Sequence, residues 1–219
     1  MPQTTVNVLV TGFEPFDQDR VNPSWEVARA LDGWRHGGAT VHGVCLPCVF
    51  DRALASLDAA LTTHRPNLVV CLGLAGGRAE VSVERVAVNV NDARIPDNAG
   101  QQPVDTAVVA QAPAAYFATL PIKAIVRDLR AQGFPASVSN TAGTFVCNHV
   151  FYGLMHRLSA HGGAVRGGFV HLPYLPEQAA LHAGAPSMAL DTQVQALRAL
   201  IRTALTVHED VIETAGRLH

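Results

Sequence analysis

Charged side chains are scarce in this 219-residue sequence: Lys and Arg total 16, Asp and Glu 18, and the formal net charge is -2. No basic cluster stands out, which argues against a phosphate-tracking surface, whose affinity depends on neutralisation by Lys and Arg. Nucleic acid is therefore not an expected partner. Long apolar runs are missing too, and none approaches the ~18 to 20 residues of a membrane span. The opening MPQTTVNVLVTG enters a strand pattern without the basic region of a signal peptide. These absences point to a cytoplasmic protein with no membrane segment. There is no low-complexity linker and no repeat period, so residues 1–219 are read as one domain large enough to bury a substantial core. The 4 cysteines are too few for a disulfide framework, and reduced thiols are expected.

What is plentiful is apolar surface. Hydrophobic residues make up 48% of the chain, which favours an oligomer in which subunits cover one another. Short β-branched runs alternate with helical patterns: VNVLVTG (6–12), PSWEVARALDGW (23–34), ATVHGVCLP (39–47), FDRALASLDAALTTH (50–64) and NLVVCLG (67–73). That rhythm predicts an α/β domain with a mostly parallel sheet. Pro23 suits a first helical turn, and Asn22 is a fitting N-cap before it.

In EVSVERVAVNVND the apolar positions are odd at Val81 and Val83 and even at Val86, Val88 and Val90. Because side chains alternate faces along a strand, the slip at Glu84-Arg85 predicts a bulge or bend, which often re-aims a side chain beside an active site. From Asp97 to about Leu120 no period is visible, and a loop of that length is usually a lid, a binding loop or an interface arm. PIKAIVRDLRAQG (121–133) reads as a helix, PASVSN (135–140) as a strand and FVCNHVFYGLMHRLSAH (145–161) as a helix with Cys147, Phe151, Leu154 and Leu158 on one face. A strand in RGGFVHLPYLP ends near His171, and residues 190–215 read as a long C-terminal helix.

Two cysteine arrangements call for attention. Cys45 and Cys48 form a C-x-x-C, but the residues around them are Val, Leu and Phe, with no nearby cation to lower a thiol pKa. Cys147 sits differently. If Thr144 caps its helix, Cys147 occupies the third position, beside unsatisfied backbone N–H groups and the positive end of the macrodipole. That end contributes roughly 0.3 to 1 kcal/mol, less than one pKa unit at about 1.4 kcal/mol each, so a nucleophilic thiol needs a basic partner. His149 points to another helix face and His156 lies more than two turns on. His171 ends the following strand, and the carboxyl ends of parallel strands share a rim with helix amino ends. Glu84, at the phase slip, can hold the imidazole in its useful tautomer. Each residue also has an ordinary structural reading: a core cysteine, a hydrogen-bonded strand histidine, a solvated acid.

The segments TGFEPF (11–16), GLAGGRAEVSVERVAVNVNDARIPDN (73–98), PAAYFATLPIKAIV (113–126), SNTAGTFVCNHVFYGLMH (139–156) and GGFVHLPYLPEQ (167–178) together resemble the pyroglutamyl peptidase I family, cysteine peptidases of Glu-Cys-His type. The resemblance implies a three-layer α/β/α fold with a mostly parallel mixed sheet, a homotetramer, and no metal or cofactor. It implies Cys147 as nucleophile, His171 as general base and later acid, and Glu84 as the residue orienting His171. The implied reaction releases N-terminal pyroglutamyl groups from peptides through a thioester on Cys147. A pyroglutamyl ring carries no charged amine, so its pocket needs flat apolar walls and backbone partners for the lactam. Phe13 and Phe16 look similar to the family's ring-binding aromatics, and Phe145 and Val146 are further candidates. Arg94 resembles a family position close to the nucleophile, with a salt bridge to Asp92 or Asp97 as its other reading. Leu74 departs from the glutamine often found in G-Q-A-G-G-R. Two other functions are weighed: a phosphate site at Gly76-Gly77, as in nucleoside phosphorylases, and an inactive oligomer that binds pyroglutamyl groups.

Overall fold

The first helix begins where its capping chemistry dictates: Asn22 is extended, its side chain accepts from the Ser24 amide, and Pro23 opens the helix. The computed structural model describes residues 6–160 and 162–216. In chain order these form β1 (Val6–Phe13), α1 (Pro23–Leu31), β2 (Arg35–His36), β3 (Ala39–Leu46), α2 (Phe50–His64), β4 (Leu68–Leu74), β5 (Val81–Glu84), β6 (Val86–Val88), β7 (Ala115–Phe117), α3 (Ile122–Ala131), β8 (Ala136–Ser139), α4 (Val146–Ser159), β9 (Arg166–Leu172), α5 (Pro176–Ala179) and α6 (Leu190–Thr206).

Seven strands lie in the order β2-β3-β1-β4-β9-β5-β8. β3, β1, β4 and β9 run parallel, β5 turns antiparallel to β9 while pairing parallel with β8, and β2 is an antiparallel edge. Alternation along the strands divides the core between the two faces. Val8, Val10, Val70, Leu72 and Val170 join α1, α3 and α6 through Leu31, Ile125 and Leu200. Leu9, Val69, Cys71 and Phe169 join α2 and α4 through Leu57, Val150 and Leu154. Helices on both faces make the expected three layers, and each fully buried Leu, Val or Phe contributes on the order of 1.5 to 3 kcal/mol.

Two expectations are corrected and one is made specific. Of the bulge or bend expected at Glu84-Arg85, the structure has the bend, with Arg85 standing between strands of two different sheets. β5 stays in the main sheet while β6 leaves it to pair with β7, Val86 opposite Phe117 and Val88 opposite Ala115, and within β6 it is Ala87 that is buried while Val86 and Val88 are half-buried. The stretch from 97 to 120 is not one open loop, since β7 and a bridge between Asn91 and Thr106 tie it down; a three-residue strand is too short to show a period. The C-terminal helix stops at Thr206, where Val207 turns extended. The chain beyond it caps a different helix. α3 has no side-chain cap of its own, and the Asp210 carboxylate accepts the amides of Lys123 at 3.0 Å and Ala124 at 2.9 Å.

Candidate active site

Three strands present one row of positions toward α4. In the β4–β9 ladder Gly73 lies beside His171, and in the β9–β5 ladder His171 lies beside Ser82. Paired residues share a face and alternate residues repeat it, so Gly73, His171, Phe169, Ser82 and Glu84 all face α4. Gly73 is open there because there is no room for anything else. A Cβ at this position would meet Phe169 Cζ at 2.8 Å and Cys147 Sγ at 2.9 Å. The Phe169 ring in turn lies 4.9 Å from the His171 ring, centroid to centroid. The thiol of α4, the imidazole of β9 and the carboxylate of β5 thus converge at one corner.

His171 Nδ1 and Glu84 Oε1 are 2.7 Å apart, with the Glu84 side chain fully buried and His171 nearly so. An ionised carboxylate only accepts, so Nδ1 carries the proton and Nε2 is left as the basic nitrogen. Arg78, to which the sequence pattern assigns no role, also reaches this acid: its Nη1 donates to Glu84 Oε1 at 2.8 Å and its Nη2 to the Thr141 carbonyl at 3.3 Å. Oε2 of Glu84 is buried without a hydrogen-bond partner among the described residues. A signal for Arg78 existed: it stands six residues before Glu84, just past a glycine pair that reverses the chain.

α4 begins one residue later than capping by Thr144 would have it. Phe145 is the N-cap and provides no side-chain bond, so Cys147 is the second helical residue, still within the first turn, whose amides have no carbonyl four residues back. Thr144 is drawn away because its Oγ1 donates to the Asp92 carbonyl at 2.8 Å, while its own carbonyl accepts the Asp92 amide at 2.9 Å. Gly143, at φ +77, makes the turn into this segment, a conformation that L side chains resist. Buried Asn148 then pins α4 to β6, accepting from the Val88 amide and donating to the Val88 and Val90 carbonyls.

Cys147 is half-buried, and burial pushes its thiol up to about 12, with Glu84 adding to the rise. Arg78 and the Cys147 amide pull the other way. A thiol raised in this way needs a neighbouring base to take its proton before its sulfur can act as a nucleophile.

Aromatic rings gather at the start of α4. Phe16 and Phe145 lie 5.2 Å apart, and Phe50, missed from sequence, meets Phe145 edge-on at 5.3 Å. Phe16 and Phe145 are half-buried, whereas Phe13 and Val146 are buried, Phe13 against Phe169. Glu14 fastens the loop carrying Phe16: its Oε1 accepts from the Cys48 amide at 3.0 Å and from Asn98 Nδ2 at 2.9 Å. Arg94 is exposed and forms no ion pair with Asp92 or Asp97 among the described residues. Asp97 spends its oxygens on the amides of Phe50, Ala99 and Gln101. Leu74 pairs with Leu172 at the end of β4, one residue past Gly73, so its side chain lies on the face away from Cys147.

The other candidates have structural explanations. Gly76 is packed by Tyr174, whose hydroxyl a Cβ there would meet at 2.4 Å, and Gly77 turns the chain at φ +86; neither requires a phosphate. Cys45 is exposed and Cys48 buried, both as free thiols, with burial pushing the Cys48 thiol up, the reverse of an activated redox pair. His149 faces Asn91, Nδ1 to Oδ1 at 2.9 Å, and His156 faces the Tyr116 hydroxyl. Among the described residues no three His, Cys, Asp or Glu side chains group so as to hold a metal ion, and no helix is long and apolar enough to cross a membrane.

A family model described as pyroglutamyl peptidase matches residues 6–207. The chain is 65% identical over 213 residues to a pyrrolidone-carboxylate peptidase of Cupriavidus taiwanensis, covering 97% of this chain and 99% of that one. The crystal structure of pyroglutamyl peptidase I from Bacillus amyloliquefaciens superposes with a TM-score of 0.93 at 47% identity, covering 96% of this chain and all of the other. A pyrrolidone carboxyl peptidase mutant from Pyrococcus furiosus gives a TM-score of 0.89 at 43% identity, covering 91% and 98% of the two chains.

Proposed function

Since the chain belongs to the pyroglutamyl peptidase family, we propose that it removes N-terminal pyroglutamyl groups from peptides by a thiol mechanism at Cys147, with His171 as base and acid and Glu84 as its orienting group. The observation that carries this reading is the 2.7 Å contact of His171 Nδ1 with buried Glu84, on the sheet face where Gly73 leaves room for the Cys147 sulfur.

The proposed steps are as follows. His171 Nε2 takes the Cys147 proton and the sulfur attacks the pyroglutamyl carbonyl, while Glu84 accepts from Nδ1–H and stabilises the imidazolium. First-turn amides of α4, lacking carbonyl partners within the helix, are available to the developing oxyanion. His171 returns its proton to the departing amine, leaving a thioester on Cys147. Water, deprotonated by the same imidazole, then releases pyroglutamate. In this reading Phe16 and Phe145 supply flat walls for the uncharged ring, with Phe13, Val146 and Arg94 as further candidate substrate contacts. The reaction calls for neither metal nor cofactor. The proposed working form is a single-domain chain assembled as a cytoplasmic homotetramer, a state that light scattering on the purified protein measures.

The decisive assay compares pyroglutamyl and prolyl fluorogenic substrates, because proline has the ring without the lactam carbonyl. Hydrolysis of the pyroglutamyl substrate alone, lost in Cys147→Ser with the fold intact, is the expected result. Hydrolysis retained by Cys147→Ser excludes the thiol mechanism. Binding of pyroglutamate without turnover by the unmodified protein points instead to an inactive binding protein.

A further inference from the structure

We propose that Arg78 is a positioning residue for the reaction, clamping the Glu84 carboxylate in the orientation His171 needs and balancing its negative charge beside Cys147. The inference rests on the thiol mechanism proposed above and assigns a role to a residue that mechanism does not use.

An exposed ion pair contributes little, and Arg78 is not an ordinary one. Its partner is fully buried, and its own side chain is 30% exposed, so the guanidinium reaches inward from the rim. The reach is built by the preceding turn. Gly76 leaves space for the Tyr174 ring, Gly77 takes φ +86, and the Arg78 amide closes the turn on the Ala75 carbonyl at 3.3 Å. From there the fork spans two walls of the site. Nη1 reaches Glu84 on β5, and Nη2 reaches the Thr141 carbonyl in the segment leading to α4. One planar group thus joins the strand bearing the acid to the entry of the helix bearing the nucleophile, with two donors held in a fixed fork where a lysine ammonium has its donors on one rotating nitrogen.

The arrangement on Glu84 gives the clamp its purpose. Oε1 receives both His171 and Arg78 while Oε2 has no partner among the described residues. Without Arg78 the carboxylate would have a single strong contact and freedom to rotate about its last bond. There is also an electrostatic conflict at this corner. The groups acting on Cys147 are Glu84 from β5, Cys71 from β4, Arg78 from the turn before β5 and its own amide, with the Cys48 thiol also coupled to it and His171 of β9 on the same face. An acid that orients an imidazole also discourages a thiolate next to it, and burial already raises this thiol. A cation on that same acid leaves its hydrogen bond to His171 in place and removes much of its unfavourable field.

The test compares wild type, Arg78→Met and Arg78→Lys, with circular dichroism to verify folding. One arm follows iodoacetamide alkylation of Cys147 against pH without substrate; the other measures kcat and KM for a pyroglutamyl fluorophore against pH. Removing a positive charge makes nearby protons harder to lose. Arg78→Met should therefore shift the alkylation profile and both limbs of the pH–rate profile to higher pH by about one unit. Its kcat should fall about a hundredfold, with KM changed by less than about threefold. Arg78→Lys should restore the pH position but only part of kcat. A folded Arg78→Met with unmoved profiles and kcat within about twofold of wild type overturns the proposal. If Arg78→Met does not fold, Arg78→Lys decides, and full wild-type kcat in that variant overturns it. Absence of pyroglutamyl hydrolysis by wild type would refute the function itself, while the alkylation arm still decides whether Arg78 acts on the thiol.

Discussion

Asn148 hydrogen bonds both backbone groups of Val88, accepting from its amide at 3.0 Å and donating to its carbonyl at 2.9 Å. A side chain thereby acts as a strand neighbour to β6, and a further bond to the Val90 carbonyl at 3.0 Å extends the pairing. Because Asn148 follows Cys147 directly, the clamp also fixes where the first turn of α4 sits. Asn148→Ala strands three backbone groups at once and should destabilise the protein by about 3 kcal/mol, at roughly 1 to 3 kcal/mol for each buried group left unpaired. Urea unfolding measures this, and a loss below about 1 kcal/mol would show that β6 holds its place without Asn148.

Gly73→Ala tests the convergence of the site. The added methyl would lie 2.8 to 2.9 Å from Phe169 and from Cys147 Sγ, so ring or sulfur must shift. Overpacking of this kind costs typically about 1 to 3 kcal/mol, while a misplaced nucleophile loses about a hundredfold in rate. The expected variant is folded, alkylates slowly at Cys147 and has little peptidase activity. Wild-type alkylation and turnover would show that the sulfur does not depend on the space over Gly73.

Stability should fall on mild acidification because of His149. Its pKa is lowered to about 4, first by burial, with Asp51 and the Phe50 backbone opposing and Arg157 reinforcing the shift. Its Nδ1 faces Asn91, and its Nε2 is buried without a partner among the described residues. The native state therefore resists a proton that the unfolded chain accepts near pH 6.5. The stabilisation is complete above that value and is lost as pH falls toward 4, up to about 3 kcal/mol at roughly 1.36 kcal/mol per unit. Urea midpoints should drop between pH 7 and pH 5.5, before most carboxylates titrate, and His149→Gln should flatten that slope. An unchanged slope in the variant would assign the acid sensitivity elsewhere.

Leu74→Gln should be nearly silent. Leu74 stands where the family often has glutamine, but its side chain lies on the sheet face opposite Cys147 and its backbone is in the β4–β9 ladder. A kcat/KM within about threefold of wild type fits a position used through its backbone, since a lost or gained hydrogen bond to substrate would exceed that change at about 1.4 kcal/mol per tenfold. A larger effect on KM would show that residue 74 reads the substrate.

Much of this molecule follows from local sequence. Strand alternation and helical periodicity carry the α/β layering, Asn22 and Pro23 carry the start of α1, and α2 spans the residues its pattern marks. The positions of Cys147 at a helix start and of His171 near a strand end are also local properties, because capping and periodicity act over a few residues. Tertiary structure decided what depends on distant partners. The phase slip marks the bend after Glu84, where the chain passes from one sheet to the other, but the place of Glu84 beside His171 comes from β5 running antiparallel to β9. Thr144 has the chemistry of a cap yet bonds to Asp92, and Asp210, helical by its pattern, caps α3 instead. Arg78 gains a role only when the turn at Gly76-Gly77 brings it to Glu84. Hydrophobic patterning sets which face of each element is buried, but the order and direction of strands determine which polar side chains meet across those faces. The chemistry of this corner is a product of that meeting.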